Sequence, residues 1–409
     1  MMRSMFSGVS GLRSHQLMLD VVSNNIANVN TTGFKASRVL FADTLSQTMR
    51  DASGGAFEEV SVNPLQVGLG VAVKSTAATF TTGSLQLTDR PLDTAIAGDG
   101  FFVVKVGGDK LFTRSGSFAL DLKQQLVDGT GGILQGWTFQ PDGTIQTGTA
   151  TTNVTLSSYA TLPATATSAV TVKGGLSAST PIGATVETLT KVVDGLGTQS
   201  QVLFRFTKDT TTAWTMEALD VNGASLGTSA LAFSAVDGSL LTPTTPPTMN
   251  LTPVSGAQPI AFTVDLGNGP TGLHHFGNST SLSLSQDGRE AGELRDFGIS
   301  EGGVISGRYS NGQLKDIAQI AMARFSNNEG LIKTGEQHYR QSAVSGEPLV
   351  TTAGQAATGA IKAGVLEMSN VDLAREFTDL ILAQRGFQAS SRVITTSDEM
   401  IQELVNLKR

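Results

Sequence analysis

A chain of 409 residues has room for two or more domains with cores of their own, and its formal charge of −7, from 28 basic and 35 acidic side chains, argues against the concentrated positive field that nucleic acid or an anionic membrane requires. Cysteine is absent, which excludes disulfides, thiolate metal sites and cysteine nucleophiles. Only 15% of the residues are charged and 6% aromatic while 46 are glycine, a balance of strands and turns rather than of helical bundles.

The amino-terminal stretch MMRSMFSGVSGL lacks the apolar core and small-residue cleavage site of a secretory signal, and no run of about 18 apolar residues exists to cross a bilayer. A three-four spacing through Met5, Leu12, Leu19 and Ile26, with Gly8, His15, Val22 and Val29 between, predicts a helix with an apolar seam that is imperfect at Gly8 and His15. The helix is expected to end within SNNIANVNTTGFK, where asparagine competes with the helical ladder and Gly33 permits a turn. Asn24 and Asn28 share one face beside the seam and are candidates for fixing register between neighbouring molecules. The segment 42–63 has no clear period and reads as a connector.

Strand signals follow. GDGFFVVKVGGDKLFTRSG predicts a hairpin turning at Gly107-Gly108-Asp109, and LVDGTGGILQGW another turn and strand. From about 150 to 284 charge thins out and alternation appears, with Val202, Phe204 and Phe206 on one face of QVLFRFT and Ile260, Phe262, Val264 and Leu266 on one face of IAFTVDL. This reads as an inserted β-domain, after which GGVISGRYSNGQLKDIAQIAMARF returns as strand, tight turn and strand. Residues 349–364 are small and turn-prone, suited to a second connector.

The carboxyl end carries a second, longer seam through Leu373, Phe377, Leu380, Phe387, Ile394, Ile401 and Val405, interrupted by Gln384, Ser391 and Asp398. Ser369-Asn370-Val371-Asp372 fits a capping box at its start, and Lys408 and Arg409 complement the dipole at its end. Such a helix cannot stand alone. Ordering its backbone costs roughly 1–2 kcal/mol per residue, against about 1.5–3 kcal/mol for each large apolar side chain buried. The amino-terminal seam is its nearest partner, and other copies of the pair come next.

Nothing in the chain predicts chemistry. Gly98-Asp99-Gly100 precedes a strand instead of opening a helix, so it is a turn and no phosphate loop. His274 and His275 are adjacent and point to opposite faces of an extended strand, while His15 and His338 stand apart, so no metal site is expected. Asp287, Glu290 and Glu293 read as a solvated loop, and no nucleophile has a base and oxyanion donors. The expectation is a protein that is not an enzyme, with no catalytic, cofactor-binding or metal residues. The polar faces of the terminal helices mix both charge signs, unlike a membrane-surface helix.

SNNIANVNTTGFK resembles the amino-terminal signature of the bacterial flagellar rod and hook proteins, and GVLEMSNVDLAREFTDLILAQRGFQASSRVITTSDEMIQELVNLKR their carboxyl-terminal helix. Within that axial family GDGFFVV, FTRSGSF and GGVISGRYSNGQ are similar to flagellar hook proteins, while 150–284 matches mainly in position and β character. The signature covers Asn24, Asn25, Asn28, Gly33, Phe34 and Lys35.

The resemblance implies an α+β fold, with long terminal α-helices forming a coiled-coil-like inner domain and two mainly antiparallel β-domains inserted between them. Its expected boundaries are 1–33 and 366–409 for the inner helical domain, 34–66 and 349–365 for connectors, 67–148 and 285–348 for a middle β-domain, and 149–284 for an outer β-domain. It implies a structural subunit that polymerises into the hook, a tubular flexible universal joint passing torque from rod to filament. The seam residues would then be the subunit interface. Implied partners are other copies of itself, the distal rod protein, the hook-filament junction protein, the hook cap protein and the flagellar type III export apparatus, with no nucleic acid and no membrane insertion. The implied location is the extracellular flagellum, reached without a cleaved signal peptide. Some spirochaete members use a cysteine in a covalent cross-link between subunits, which this chain cannot make. The alternatives are a distal rod subunit of the basal body and, from another class, an exported β-rich enzyme or adhesin.

Overall fold

The computed structural model describes residues 2–51, 63–140, 143–253, 256–267, 272–277 and 279–406. It has two long helices at its ends, α1 (Met2–Ala27) and α2 (Leu373–Asn406), and a β-rich body between them. The chain forms two compact units: Met1–Ser157 with Phe297–Ser306 and Asp316–Arg409, and Ser158–Asp296 with Gly307–Lys315.

The first unit holds both helices. Its sheet runs in the order Ile133–Thr138, Phe101–Val106, Asp109–Thr113, His338–Arg340, Ile332–Gly335. The hairpin expected at Gly107-Gly108 forms, pairing Val106 with Asp109, because both glycines take the positive φ values, 59° and 114°, that this two-residue turn requires. Phe101, Val103, Phe112, Trp137, Phe325 and Tyr339 pack into one core, with the Phe101 ring edge-on to Phe80, Phe325 and Tyr339.

Both segments expected as connectors carry strands. Ser37–Asp43 pairs with Val71–Ala78, Ser46–Arg50 with Leu65–Gly68, Ala360–Ala363 with Thr94–Ala97, and Val365–Glu367 with Leu85–Leu87. Apart from Ser37–Asp43, the strands of these segments have only three to five residues, too few for a period to register. Residues 52–62 of the first connector lie outside the described residues.

The second unit is built from two sheets. One runs Thr185–Val193, Gln199–Lys208, Ala213–Leu219, Ser225–Phe233, Leu240–Thr242, all antiparallel. In the other, Ala169–Leu176 pairs parallel with Ile260–Asp265 and Leu273–His275 and antiparallel with Ser281–Gln286. Val202, Phe204, Phe206, Phe262 and Val264, read from alternation, are buried in the core around Trp214.

One loop design recurs. Asp121, Asp128, Asp194 and Asp220 each accept, on Oδ1, the N–H groups two and four residues ahead. The fourth residue of each loop is left-handed: Gly131, Gly197 and Gly223 at φ 85°, 88° and 81°, but Gln124 at 56°. Carboxylate-capped turns of this kind close hairpins from within the loop.

Candidate functional site

The terminal helices pack antiparallel, and they touch through small residues. Ser4 Oγ meets Ser397 Oγ at 3.4 Å; a Cβ on Gly8 would stand 3.1 Å from Ile394, one on Gly11 would stand 2.9 Å from Ser390 Oγ, and one on Gly386 would fall on the His15 ring. Gly8 and His15, read from sequence as flaws in the seam, are thus points of closest approach. Small residues bring helix axes together, which an apolar period does not reveal.

The seam residues fall into three groups. Val22 is buried; Met5, Leu12, Leu19, Ile26, Val29, Leu380, Phe387, Ile394 and Ile401 are half-buried; Leu373, Phe377 and Val405 are exposed. Other large apolar side chains that the heptad reading passed over are also exposed: Phe6, Ile381, Leu382, Val393 and Met400. Leu382, Val393 and Met400, at steps of eleven and seven, form a second row on α2 that a search at 3.6 residues per turn would have found. Within this chain, α2 therefore covers only a narrow stripe of its surface. The side chains of Leu404 and Leu407, and Lys408 and Arg409, lie outside the described residues.

Helix α2 begins at Leu373, later than the capping box implied. Asp372 is its cap, with Oδ1 accepting the Ala374 N–H at 2.9 Å. Asn370 is used elsewhere: its Oδ1 accepts from Ala36 N–H at 2.8 Å and its Nδ2 donates to Thr79 O at 2.7 Å.

The signature residues form an internal clamp. Gly33, at φ 69°, donates its N–H to Glu367 O at 2.8 Å. A Cβ there would lie 2.6 Å from Ser115 N, so only glycine fits. Phe34 is buried under the Lys333 ammonium, 4.1 Å from its ring centroid. Lys35 Nζ, fully buried, donates to Glu367 Oε1 at 2.6 Å and to Thr81 O at 2.7 Å. Glu367 Oε1 also takes the Gly83 N–H at 2.9 Å, and Arg114 Nη1 approaches Oε2 at 3.6 Å while donating to Gly98 O at 2.8 Å. Burial pushes the Lys35 and Arg114 pKa values down, with Glu367 opposing in both cases.

Asn25, buried, joins the two helices to the body. Its Nδ2 donates to Ser37 O at 2.8 Å and to Glu376 at 3.2 Å, and its Oδ1 accepts from Ser37 N–H at 3.0 Å. Burial pushes the Glu376 carboxyl up, against that bond from Asn25. Asn28 Nδ2 donates to Asn24 O at 2.9 Å, closing the end of α1, and Asn24 is exposed. Sequence reasoning did not single out Glu367, Arg114 and Glu376, because each meets its partner across a long stretch of chain.

Three of the other polar candidates are held by partners distant in sequence. Asp287 accepts the N–H groups of Ser168 and Ala169 at 2.9 and 3.0 Å. His275 is held between Trp214 Nε1 and Thr211 O, and His338 Nε2 lies 2.7 Å from Asp128. Among the described residues no group of three His, Asp or Glu side chains is placed to hold a metal, and no helix is long and apolar enough to cross a membrane. The arrangement anchors a helix pair to a β-rich body and leaves apolar rows uncovered.

Comparison with known proteins gives three family matches: flagella basal body rod protein over 5–35, the flagellar hook protein FlgE/F/G D1 domain over 95–173, and the flagellar basal body rod FlgEFG protein C-terminal over 362–407. The flagellar hook protein FlgE of Borreliella burgdorferi is 37% identical over 449 aligned residues, covering 100% of both chains. That of Treponema pallidum is 37% identical over 463, again with 100% of both covered. The crystal structure of Helicobacter pylori flagellar hook protein FlgE2 superposes with a TM-score of 0.50 at 15% identity, covering 69% of this chain and 100% of that one, a likeness of fold.

Proposed function

The chain belongs to the flagellar hook protein family, and we propose from that premise that its terminal helices build the inner layer of a tube while its β-rich parts lie outside. It is a structural subunit of the bacterial flagellar hook, a tubular flexible universal joint that transmits torque from the rod to the filament. The observation that carries the division of labour is the uncovered surface of α2, where Phe377, Ile381 and Leu382 are 51%, 57% and 63% exposed. Burying each such side chain is worth about 1.5–3 kcal/mol. Rows of them along one helix are completed by other copies of the same helix pair.

In this reading the inner domain is 1–33 with 366–409, packed in coiled-coil fashion along Met5, Leu12, Leu19, Val22, Ile26, Val29, Leu373, Phe377, Leu380, Phe387, Ile394, Ile401 and Val405. Residues 67–148 and 285–348 form the middle domain and 149–284 the outer one. The segments 34–66 and 349–365 link helices to body, and the Glu367 clamp makes this link stiff. Bending is then taken up between the outer parts of neighbouring copies, whose Ser and Thr residues suit wet, adjustable contacts. Exposed Asn24 remains a candidate for fixing register between copies. The distal rod protein, the junction protein, the cap protein and the type III export apparatus are the proposed partners, with export to the cell exterior.

Electron microscopy of purified protein under polymerising conditions tests this. Curved tubes are expected. Straight tubes favour a distal rod subunit, the less favoured reading given the hook relatives above, and small closed oligomers favour an exported β-rich protein whose ends merely pair.

A further inference from the structure

The second unit has one open edge and one closed edge. At the open edge Thr185–Val193 pairs only with Gln199–Lys208, and Ser281–Gln286 only with Ala169–Leu176, so among the described residues each leaves one side of its backbone unpaired. A groove of about 490 Å³ runs between these two strands. Leu189, 65% exposed, and half-buried Leu284 supply its apolar walls, and Lys191 is the one charged residue lining it. Glu187, on the same strand, is engaged by Arg205 at 2.8 Å, and the Lys191 ammonium has no ion-pair or hydrogen-bond partner among the described residues.

At the closed edge Ser239 bridges to His274 and Gly238 O accepts the His275 N–H at 2.8 Å, which joins the two sheets. The turn between Ser225–Phe233 and Leu240–Thr242 stands out from this edge, with Val236 97% exposed. Phe276, 60% exposed, lies beside the turn, since a Cβ on Gly238 would be 3.6 Å from its own Cβ. Asp237, next to Val236 in the chain, is exposed and has no cationic partner among the described residues. Bonds from Ser234 and Ser239 hold its carboxyl at about 2, so it is charged at neutral pH. The two edges are four strand spacings apart, about 19 Å at 4.8 Å each, so the turn cannot reach the groove of its own molecule.

We propose that the Val236 turn of one copy seats in the Leu189–Leu284 groove of the next, with Asp237 against Lys191. This rests on the reading that the chain polymerises into a tube, and it gives the outer layer of that tube a defined contact. The occupant is a second copy because every copy carries both halves, because the unpaired charge of the groove is positive and that of the turn negative, and because the halves stand on opposite edges. Leu122, also exposed on a turn, is followed by Lys123, which Lys191 would repel. A copy that has received a turn in its groove still offers its own, so the contact repeats in one direction instead of closing as a dimer. The other walls of the groove, Thr190, Gln201, Ser285 and Gln286, are polar, and one apolar knob in wet surroundings suits neighbours that slide.

The chain has no cysteine, so cross-links between introduced thiols report this contact alone. Full-length Leu189→Cys, Val236→Cys and the double variant are assembled, checked by electron microscopy, oxidised with copper phenanthroline and run on a denaturing gel without reductant. The double variant should give a ladder of trimers and larger species, and either single variant should give none. If the double variant fails to assemble while the parent does, tubes mixed from the two single variants should give cross-linked dimers instead. Lys191→Glu, without cysteines, should raise the critical concentration for tubes about threefold or more at low salt, and less at high salt. Normal tubes without a ladder or mixed dimers, or an unchanged critical concentration in Lys191→Glu, overturn the contact. Parent protein that forms no tubes at all speaks against the polymer reading itself, a result distinct from tubes that do not cross-link.

Discussion

Replacing Glu367 by glutamine should destabilise the helix-bearing unit far more than replacing Lys35 by methionine, although both remove one member of the same ion pair. The clamp holds two cations and one anion, all with side chains at most 1% exposed. Glu367→Gln leaves the Lys35 ammonium and the Arg114 guanidinium facing each other in a dry site, and breaking a buried pair this way costs about 3–5 kcal/mol. Lys35→Met leaves Arg114 and Glu367 as a balanced pair at 3.6 Å, and the loss is chiefly the bond to Thr81 O, about 1–2 kcal/mol.

The two tryptophans make the measurement clean, since Trp137 lies in the first unit and Trp214 in the second. In a Trp214→Phe background, urea unfolding followed by Trp137 fluorescence should separate the variants by about 2 kcal/mol or more. There is also a pH signature. Burial lowers the Lys35 pKa from its ordinary 10.5, so the unfolded chain holds the proton more tightly and stability rises as pH climbs from the folded value towards the unfolded one. Lys35→Met should abolish that alkaline gain. A Lys35→Met variant as unstable as Glu367→Gln would refute the charge count.

Gln124→Gly should stabilise its unit by about 0.5–1 kcal/mol, since its three sister loops have glycine at the left-handed position; Gly223→Ala, where an added Cβ meets nothing within 4 Å, should cost the second unit about 1 kcal/mol through backbone strain alone. Thermal melts of both variants check this, and equal effects of one sign would contradict it. Asp128 is held at about 2, because bonds from His338, Thr130 and Gly132 outweigh its burial. Its stabilising contribution should be complete above 3.8 and disappear as pH falls through about 2, and an acid titration of Asp128→Asn should lack that step. Phe377→Asp, at an exposed site, should leave subunit stability within about 0.5 kcal/mol and abolish tubes, as judged by melting and electron microscopy; tubes at normal yield would count against the helix rows as the assembly surface.

Local repetition determined what the sequence alone could say. Both helices, the end of α1 and the start of α2 within a few residues, the Gly107-Gly108 hairpin and the buried faces of QVLFRFT and IAFTVDL all follow from periods of 3.6 and 2 and from turn chemistry, which act between near neighbours. The terminal motifs also pointed to the flagellar axial family. Tertiary structure alone decided where those pieces meet. Gly8 and His15 look like flaws in an apolar seam until Ile394 and Gly386 of the opposing helix are seen against them. Glu367 is one acid among many until Lys35 and Arg114 arrive from 332 and 253 residues away, by 367 − 35 and 367 − 114, and turn a supposed connector into a clamp. Contact at such separation leaves no period in the chain. It depends on burial, which belongs to the folded whole and to no single segment.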